Sequence, residues 1–319
     1  MTCLVPPVEP ELLDDAARAQ VLALAERAEA ADGVAPLSEA HLLALREPSV
    51  TQLVHRDGDG HGGDGGDGQV DGAAIHADGA VEIVVDPAAR RRGIASLLAA
   101  SVEALSVGTA YWAHGDLPPA RAFAAAVGLE PVRELLKLGR ALTAQDAASP
   151  ADPAVRSLAQ RTDDGARERH LTSWLALNAL AFADHPEQGR WTREDLDARL
   201  AEEWFDPSTM WVLDDEGDDG GATGAVASVW VKHPAGESAE IYVLAAHPDR
   251  AGQGLGRRLL EHALGEIARA GADDVELYVD GGNAAARRLY ERSGFTVRTR
   301  DVQYMTSVRP ADEGATIGA

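Results

Sequence analysis

Two short turns in this sequence carry the residue types that hold anions. They read Arg90-Arg-Arg-Gly-Ile-Ala and Ala251-Gly-Gln-Gly-Leu-Gly, and each sits between a strand-like and a helix-like run. Unpaired N–H groups and the positive end of the helix dipole converge at such a start. Glycine lets the backbone approach a bound phosphate without a Cβ in the way. Neither turn has the Gly-x-x-x-x-Gly-Lys-Ser/Thr of a nucleotide loop, nor the complete Gly-x-Gly-x-x-Gly of a dinucleotide site. Taken singly, each reads equally well as a plain helix start. Glu240 opens the strand before the second turn. A carboxylate there could accept a proton, although position alone reads as a solvent-facing strand residue.

The elements that must position these residues occur twice. The first half opens with a helix over 14–31, with Leu13, Val21, Leu24 and Ala28 on one face and Gly33 as its stop. A short helix follows Ser38, and strands are expected at 51–55 and 69–76. Between them the run Asp57-Gly-Asp-Gly-His-Gly-Gly-Asp-Gly-Gly-Asp-Gly lacks the apolar positions of a stacked calcium-binding repeat. It reads as a flexible hairpin loop, and residues 57–72 are expected to be dispensable. A strand then ends at Asp86-Pro87, a helix follows Gly93, Ala110-Tyr-Trp-Ala is a strand, 118–127 a helix, and Gly128-Leu starts the closing strands. The second half repeats this order around His247-Pro248, Gly254, Val275-Glu-Leu-Tyr-Val, a helix over 283–292 and Gly294-Phe. Pro87 precedes Gly93, and Pro248 precedes Gly254, by the same interval, and the ordered set marks an internal repeat.

The chain of 319 residues is too long for one ordinary domain and comfortable for two. We expect an N-terminal domain over 1–143, a connector rich in Ala, Ser, Pro and Asp over 144–164, a C-terminal domain over 165–310 and a tail over 311–319. With 29 Lys and Arg against 52 Asp and Glu, the net charge of −23 argues against nucleic acid as a partner. No apolar run reaches the ~18 residues of a membrane span, and the N-terminus lacks the pattern of a signal peptide. The expected protein is therefore soluble and cytoplasmic, without a membrane partner, and a monomer. Cys3, the single cysteine, reads as an incidental thiol. No metal is expected, because His185 has no second ligand at a telling spacing. Lys137 and Lys232 are the only lysines. With abundant Ala, Gly and Asp, this is the codon usage of a high-GC bacterium.

Gln253-Gly-Leu-Gly256 followed by Asn283-Ala-Ala-Ala-Arg-Arg-Leu-Tyr-Glu-Arg-Ser-Gly-Phe295 resembles the GNAT acetyltransferase superfamily. Ala251 departs from the Gln or Arg that the superfamily favours three residues before Gly254, whereas Arg90 keeps it in the first half. The tandem arrangement, Phe182-Ala-Asp-His-Pro-Glu-Gln-Gly-Arg-Trp191, Trp204-Phe-Asp-Pro207 and Glu240-Ile-Tyr-Val resemble the mycothiol synthase family within that superfamily. This resemblance covers nearly the whole chain. It implies an α+β fold of two tandem GNAT-type domains, each a mixed, mainly antiparallel sheet flanked by helices. It implies acetyl-CoA as donor, and as acceptor a small-molecule glycoside, the cysteine amine of cysteinyl-glucosaminyl-inositol.

Carried over residue by residue, the resemblance makes Glu240 the base and Tyr290 the acid. Acetyl-CoA is expected against Leu244, Ala245 and Ala246, the loop Ala251, Gly252, Gln253, Gly254, Leu255, Gly256 and Arg257, and the turn Asn283, Ala284, Ala285, Ala286, Arg287 and Arg288. A second acetyl-CoA is expected in the first domain at Ile83, Val84, Val85, Arg91, Arg92, Gly93, Ile94, Ala95 and Ser96, with Arg90, Arg257 and Arg258 adding positive charge near the phosphates. The acceptor is expected at Glu39, Glu187, Lys232, Glu240 and Tyr278. Glu39 by itself reads equally as surface charge. The repeats align Gly79 with Glu240 and Ala124 with Tyr290, so only the second domain is expected to catalyse. Alternatives are a GNAT enzyme for another small amine, or a noncatalytic acyl-CoA-binding sensor.

Overall fold

The strands bury their apolar side chains, at alternate positions over Ala239–Ala246 and on both faces over Thr51–Arg56 and Val70–Ala77, and helices with one apolar stripe cover the buried faces. The computed structural model describes residues 7–47, 50–57, 68–77, 79–105, 109–183, 188–216, 222–233 and 238–306, without the side chains of Glu39, Glu216, Ala222 and Thr223. Cys3, His185, Glu187 and most of the Asp/Gly run lie outside the described residues. The chain divides into two units, one of 1–135, 280–282 and 299–319, the other of 136–279 and 283–298.

The first unit carries α1 (Asp15–Asp32), α2 (Glu39–Ala44), β1 (Thr51–Arg56), β2 (Val70–Ala77), β3 (Ala80–Val85), α3 (Ile94–Leu105), β4 (Ala110–Ala113), α4 (Pro118–Val127) and the start of β5 (Leu129–Ala141). Asp14 caps α1 by accepting from the Ala17 N–H, and Gly33 ends it in the left-handed conformation with φ of 72°. Strands β1, β2 and β3 run antiparallel, and β4 joins β3 in parallel over Ala80 to Glu82 only. Val21, Leu24 and Ile75 anchor the core under α1, and Leu53, Leu98 and Val102 the core under α3. Gly72 lets α3 lie on β2, since a Cβ there would run into Ile94. Val70 is fully buried. The end of the stretch expected to be dispensable is therefore core strand.

The second unit follows with α5 (Ala144–Ala148), β6 (Val155–Ser157), α6 (Asp164–Ala181), α7 (Arg193–Leu200), β7 (Met210–Glu216), β8 (Ala222–Lys232), β9 (Ala239–Ala246), α8 (Leu255–Arg269), β10 (Asp274–Asp280), α9 (Ala284–Arg292) and the start of β11 (Thr296–Thr306), whose residues from Thr299 on belong to the first unit and pair there with β4. Its strand order is β5-β10-β9-β8-β7-β6, antiparallel from β9 to β6 and parallel between β9 and β10. Residues 144–164, expected as a connector, contribute a capping box at Thr143 and Asp146, the strand β6 paired with β7, and the buried Val155 and Leu158. One sheet face packs Leu259, Leu260 and Ile267 of α8 with Tyr290 and Phe295. The other packs Trp174, Trp230, Leu196 and Val243 under α6 and α7.

The first unit also buries a charged chain of side chains. Glu82 accepts from the Ser38 N–H at 2.7 Å and faces His114 Nε2 at 2.9 Å and His41 Nδ1 at 3.1 Å. His114 Nδ1 lies 3.2 Å from Asp301. Burial favours protonated Glu82, but bonds from the two histidines outweigh it and hold the carboxyl down at about 2, against 4.5 ordinarily. Burial opposes charge on His114 as well, and Asp301 and Glu82 overcome it to raise the imidazole from 6.5 to about 9. The His114 contribution to stability is full below pH 6.5 and is lost as pH rises through about 9. The Glu82 contribution is full above pH 4.5 and is lost as pH falls toward about 2. Thermal unfolding of this unit should therefore be highest between those limits. His114→Gln should cost roughly 3 kcal/mol by stranding Glu82 and flatten the alkaline limb. An unchanged alkaline limb in that variant would assign it to another group.

Candidate functional site

Strand β9 begins against β10 and then leaves it. The parallel pairing covers only Ala239, Glu240 and Ile241 opposite Val275, Glu276 and Leu277, though both strands continue. On its other side β9 pairs with β8, where Trp230 faces Val243 while Val231 faces Ile241, so Tyr242 is an extra, bulged residue. The bulge reverses the alternation. Ala239 and Ile241 face α8 before it, Leu244 and Ala246 after it, while Val243 and Ala245 join the aromatic core. Beyond Ile241 the pairing with β10 has ended, and Leu244 to Ala246 offer a strand edge to an extended ligand.

Glu240 lies in register with Lys232 on β8 and Glu276 on β10. Residues in register share a face, which sets a row of charge on the side away from α8. Lys137 on β5 extends the row, with Nζ 2.8 Å from Glu276 and 5.6 Å from the Tyr278 ring. The structure therefore brings three expected acceptor residues, Lys232, Glu240 and Tyr278, to one face. Burial raises the Glu240 carboxyl above its ordinary range; Lys232 and Lys137 pull it down, and Glu276 pushes it up. Burial also raises the Tyr278 hydroxyl, although its ring remains 47% exposed.

An aromatic wall adjoins this row. Trp204 and Trp191 lie 5.2 and 6.3 Å from Tyr242, and Lys232 Nζ lies 5.2 Å from the Trp204 ring. Arg199 stacks 3.9 Å over Trp191 and donates to the Tyr242 hydroxyl at 3.1 Å. Sequence reasoning quoted Trp191 and Trp204 but missed Arg199, Tyr242, Glu276 and Lys137 as neighbours. The one available signal was the rarity of lysine.

The two glycine turns share a backbone shape. Gly252 and Gly254 have φ of 78° and 77°, and the aligned Arg91 and Gly93 have 66° and 88°. Gly254 is the N-cap of α8 and brings no side chain to its first N–H groups, leaving them for a ligand. The cations are less available than expected. Arg90 donates two hydrogen bonds to the Asp32 carboxylate at 2.8 and 2.7 Å, Arg92 pairs with Asp57, Arg257 with Glu261 and Arg258 with Asp152. Arg90 thus ties α1 to the first turn. Ala95 and Ser96 lie in the first turn of α3, beside Ile94.

Tyr290 stands apart from the charged row. It lies in the core on the α8 side with its ring 5.7 Å from Phe295, and burial raises its hydroxyl far above the ordinary range. Asn283 caps α9 by accepting from the Ala286 N–H at 3.0 Å, which fixes the start of the helix carrying Tyr290 and the residues Ala284 to Arg288. Glu39 is the first residue of α2, directly after Ser38. Among the described residues no group of three His, Cys, Asp or Glu could hold a metal ion.

Residues 174–295 match the acetyltransferase (GNAT) family. A mycothiol acetyltransferase of Beutenbergia cavernae is 46% identical over 302 residues, spanning 92% of this chain and 97% of its own. One of Clavibacter michiganensis subsp. michiganensis is 45% identical over 295 residues, spanning 89% and 90%. Two solved structures share the fold at 20% identity. A GCN5-related N-acetyltransferase from Sphaerobacter thermophilus has a TM-score of 0.65 and spans 95% of this chain and 96% of its own. A tandem GNAT protein from the clavulanic acid biosynthesis pathway, without AcCoA, has 0.62 and spans 95% and 99%.

The backbone of the second turn makes a separable demand. A Cβ on Gly254 would meet nothing within 4 Å, so Gly254→Ala pays only for the left-handed conformation, about 1 kcal/mol. Gly256 lies inside α8 with ordinary backbone, and its added Cβ would touch Leu289 at 3.4 Å. Gly256→Ala should be neutral or slightly stabilising. Thermal melts of the two variants should differ in sign or clearly in size.

Proposed function

We propose that this chain, which belongs to the mycothiol acetyltransferase family, moves an acetyl group from acetyl-CoA to the cysteine amine of cysteinyl-glucosaminyl-inositol, with the chemistry confined to the second unit. The observation that carries this reading is the half-buried Glu240, held in register between Lys232 and Glu276 where β9 parts from β10. The family uses acetyl-CoA, which when bound supplies an acetyl thioester open to attack by an amine. The residues present fit it. The uncapped start of α8 suits a pyrophosphate, and Leu244 to Ala246 suit the amide-bearing arm.

The acceptor amine must be neutral to attack, and Glu240 Oε is the group we assign to take its proton, directly or through water. Its upward-shifted carboxyl binds a proton better than a solvated one, a better match to an amine near neutral pH. Tyr290 is assigned as the acid that returns a proton to the departing thiolate. Its burial keeps the hydroxyl protonated throughout the neutral range. Lys232 donates to, and Glu240 accepts from, acceptor hydroxyls, while Tyr278 and the Trp204 wall give a sugar ring apolar surface. Glu39 and Glu187 complete the proposed acceptor contacts.

In the first unit the left-handed pair at Arg91 and Gly93 supports a retained acetyl-CoA loop. Strand β3 keeps an unbroken register with β2, unlike the bulged β9. Gly79 occupies a turn and Ala124 is buried, so neither supplies a proton-transfer group. The compartment we propose is the cytoplasm, which holds acetyl-CoA; no described helix is long and apolar enough to cross a membrane.

Mass spectrometry of acetyl-CoA with cysteinyl-glucosaminyl-inositol tests the activity, with other amines as controls. Turnover with other amines alone, or binding without turnover, would replace this reading by another enzyme or by a sensor. Glu240→Gln and Tyr290→Phe should each lower kcat by about a hundred- to ten-thousand-fold. Arg91→Ala with Arg92→Ala should weaken only the first unit's acetyl-CoA and spare most turnover. Substantial activity in the Glu240→Gln, Tyr290→Phe double variant would place chemistry in the first unit.

A further inference from the structure

The row that holds Glu240 contains a second carboxylate to which the reaction gives no work. Glu276 sits opposite Glu240 on the neighbouring parallel strand, where strands lie about 4.8 Å apart. Two carboxylates so close resist ionising together. Glu276 points its charge away into cations instead: Lys137 Nζ at 2.8 Å and Arg298 Nη1 at 3.6 Å, with Arg298 also held by Asp274. On the other side Glu240 faces Lys232. Tyr278 completes the set of titratable groups around it. Lys232, Glu240 and Glu276 therefore run in register across three strands, and Lys137 closes the row from a fourth.

Composition sharpens the point. Of 29 Lys and Arg residues only Lys137 and Lys232 are lysines, and both bracket this carboxylate pair. Arginine offers a wide planar fork, whereas lysine is a compact point charge on a flexible stem. A site that must neutralise one carboxylate without covering its neighbour is served by the second. Among the described residues the other ion pairs use arginine or histidine, as in Arg90 with Asp32 and His114 with Glu82.

We propose that Lys137 and Glu276 are positioning residues for the acetyl-transfer base: Glu276 keeps Glu240 a proton acceptor by its negative charge, and Lys137 limits that effect by pairing with Glu276 while its ammonium steadies the Tyr278 ring. This rests on the reading of Glu240 as the base. The directions of influence on Glu240 agree, Glu276 raising its carboxyl and Lys137 lowering it. Without Lys137 the Glu240 carboxyl would ionise at higher pH, so less base would exist in the acid part of the working range.

The test is a pH series of kcat/KM for the acceptor in the wild type, Lys137→Met, Lys137→Arg, Glu276→Gln and the Lys137→Met, Glu276→Gln pair. Carboxylate carbon NMR of the same proteins without acetyl-CoA, with the Glu240 signal assigned by its loss in Glu240→Gln, gives a readout independent of turnover. Lys137→Met should move the Glu240 titration and the acid limb up by about one pH unit. That is roughly a tenfold loss on the acid side with little loss on the plateau. Lys137→Arg keeps the charge and should leave the limb at its wild-type pH while lowering the plateau, because the wider fork crowds Glu240, and Glu276→Gln should move the limb down. In the double variant the Lys137 effect should shrink, because the charge it answers is gone. A Lys137→Met protein that loses rate equally at every pH, with an unmoved Glu240 signal, would overturn the proposal. If the NMR signal moves as expected but Glu240→Gln keeps full rate and limb, the base reading fails, and with it the role assigned to these two residues.

Discussion

Taking a carboxylate out of water disfavours its ionised form, and the second unit is arranged around that cost at Glu240. Burial alone would push the carboxyl further up and leave less of the ionised form that can accept a proton. Lys232 and Lys137 offset burial, while Glu276 works with it. The net result is a carboxyl shifted upward and still titratable, which is what proton transfer from an amine asks for. The same charges fix geometry, since Lys232 lies along the Trp204 ring and Lys137 along Tyr278. Electrostatics and shape of the acceptor face therefore come from the same side chains.

The backbone supplies the second condition. Pairing between β9 and β10 ends one residue after Glu240, and the extra residue at Tyr242 turns β9 so that its next side chains exchange faces. A regular strand would have placed Leu244 among the tryptophans and Val243 under α8. The bulge instead lets one strand serve an aromatic core before the glycine turn and an aliphatic core beside it. In the first unit the corresponding strand is shorter and unbulged, but the turn after it keeps two left-handed residues. Arg91 takes a conformation costing about 1–2 kcal/mol that glycine takes freely. Such strain persists where the surroundings impose the loop shape.

Much of this was readable from residue order. The repeat, the glycine turns, the helix from Asp15 and its stop at Gly33 all follow from local chemistry: capping, apolar period and left-handed turns. The register-dependent features were not readable. Nothing in Glu240-Ile-Tyr-Val announces a bulge, because an extra residue in a strand changes pairing without changing composition. Strand β6 was hidden for a related reason: three residues among Ala, Pro and Asp leave no periodicity, and only partnership with β7 makes them a strand. Glu276 and Lys137 are far apart in sequence and meet only through neighbouring strands. Their contact is tertiary information in full.

The two units also show one residue type put to opposite uses. Glu82 on β3 is the carboxylate nearest to a base position in the first unit, and it is fully buried where Glu240 is half-buried. Two histidines and a backbone N–H bind its charged form, so its affinity for a proton falls to about 2 rather than rising. A carboxylate that far below neutral makes a weak base, however well placed. Its bonds run instead to the residue before Glu39 and to the turn after β4, which makes it a structural tie. The repeat thus kept a buried glutamate in each unit and separated their roles by partners alone. Glu240 faces another carboxylate and shares its cations with it; Glu82 has imidazoles directed at it from two sides.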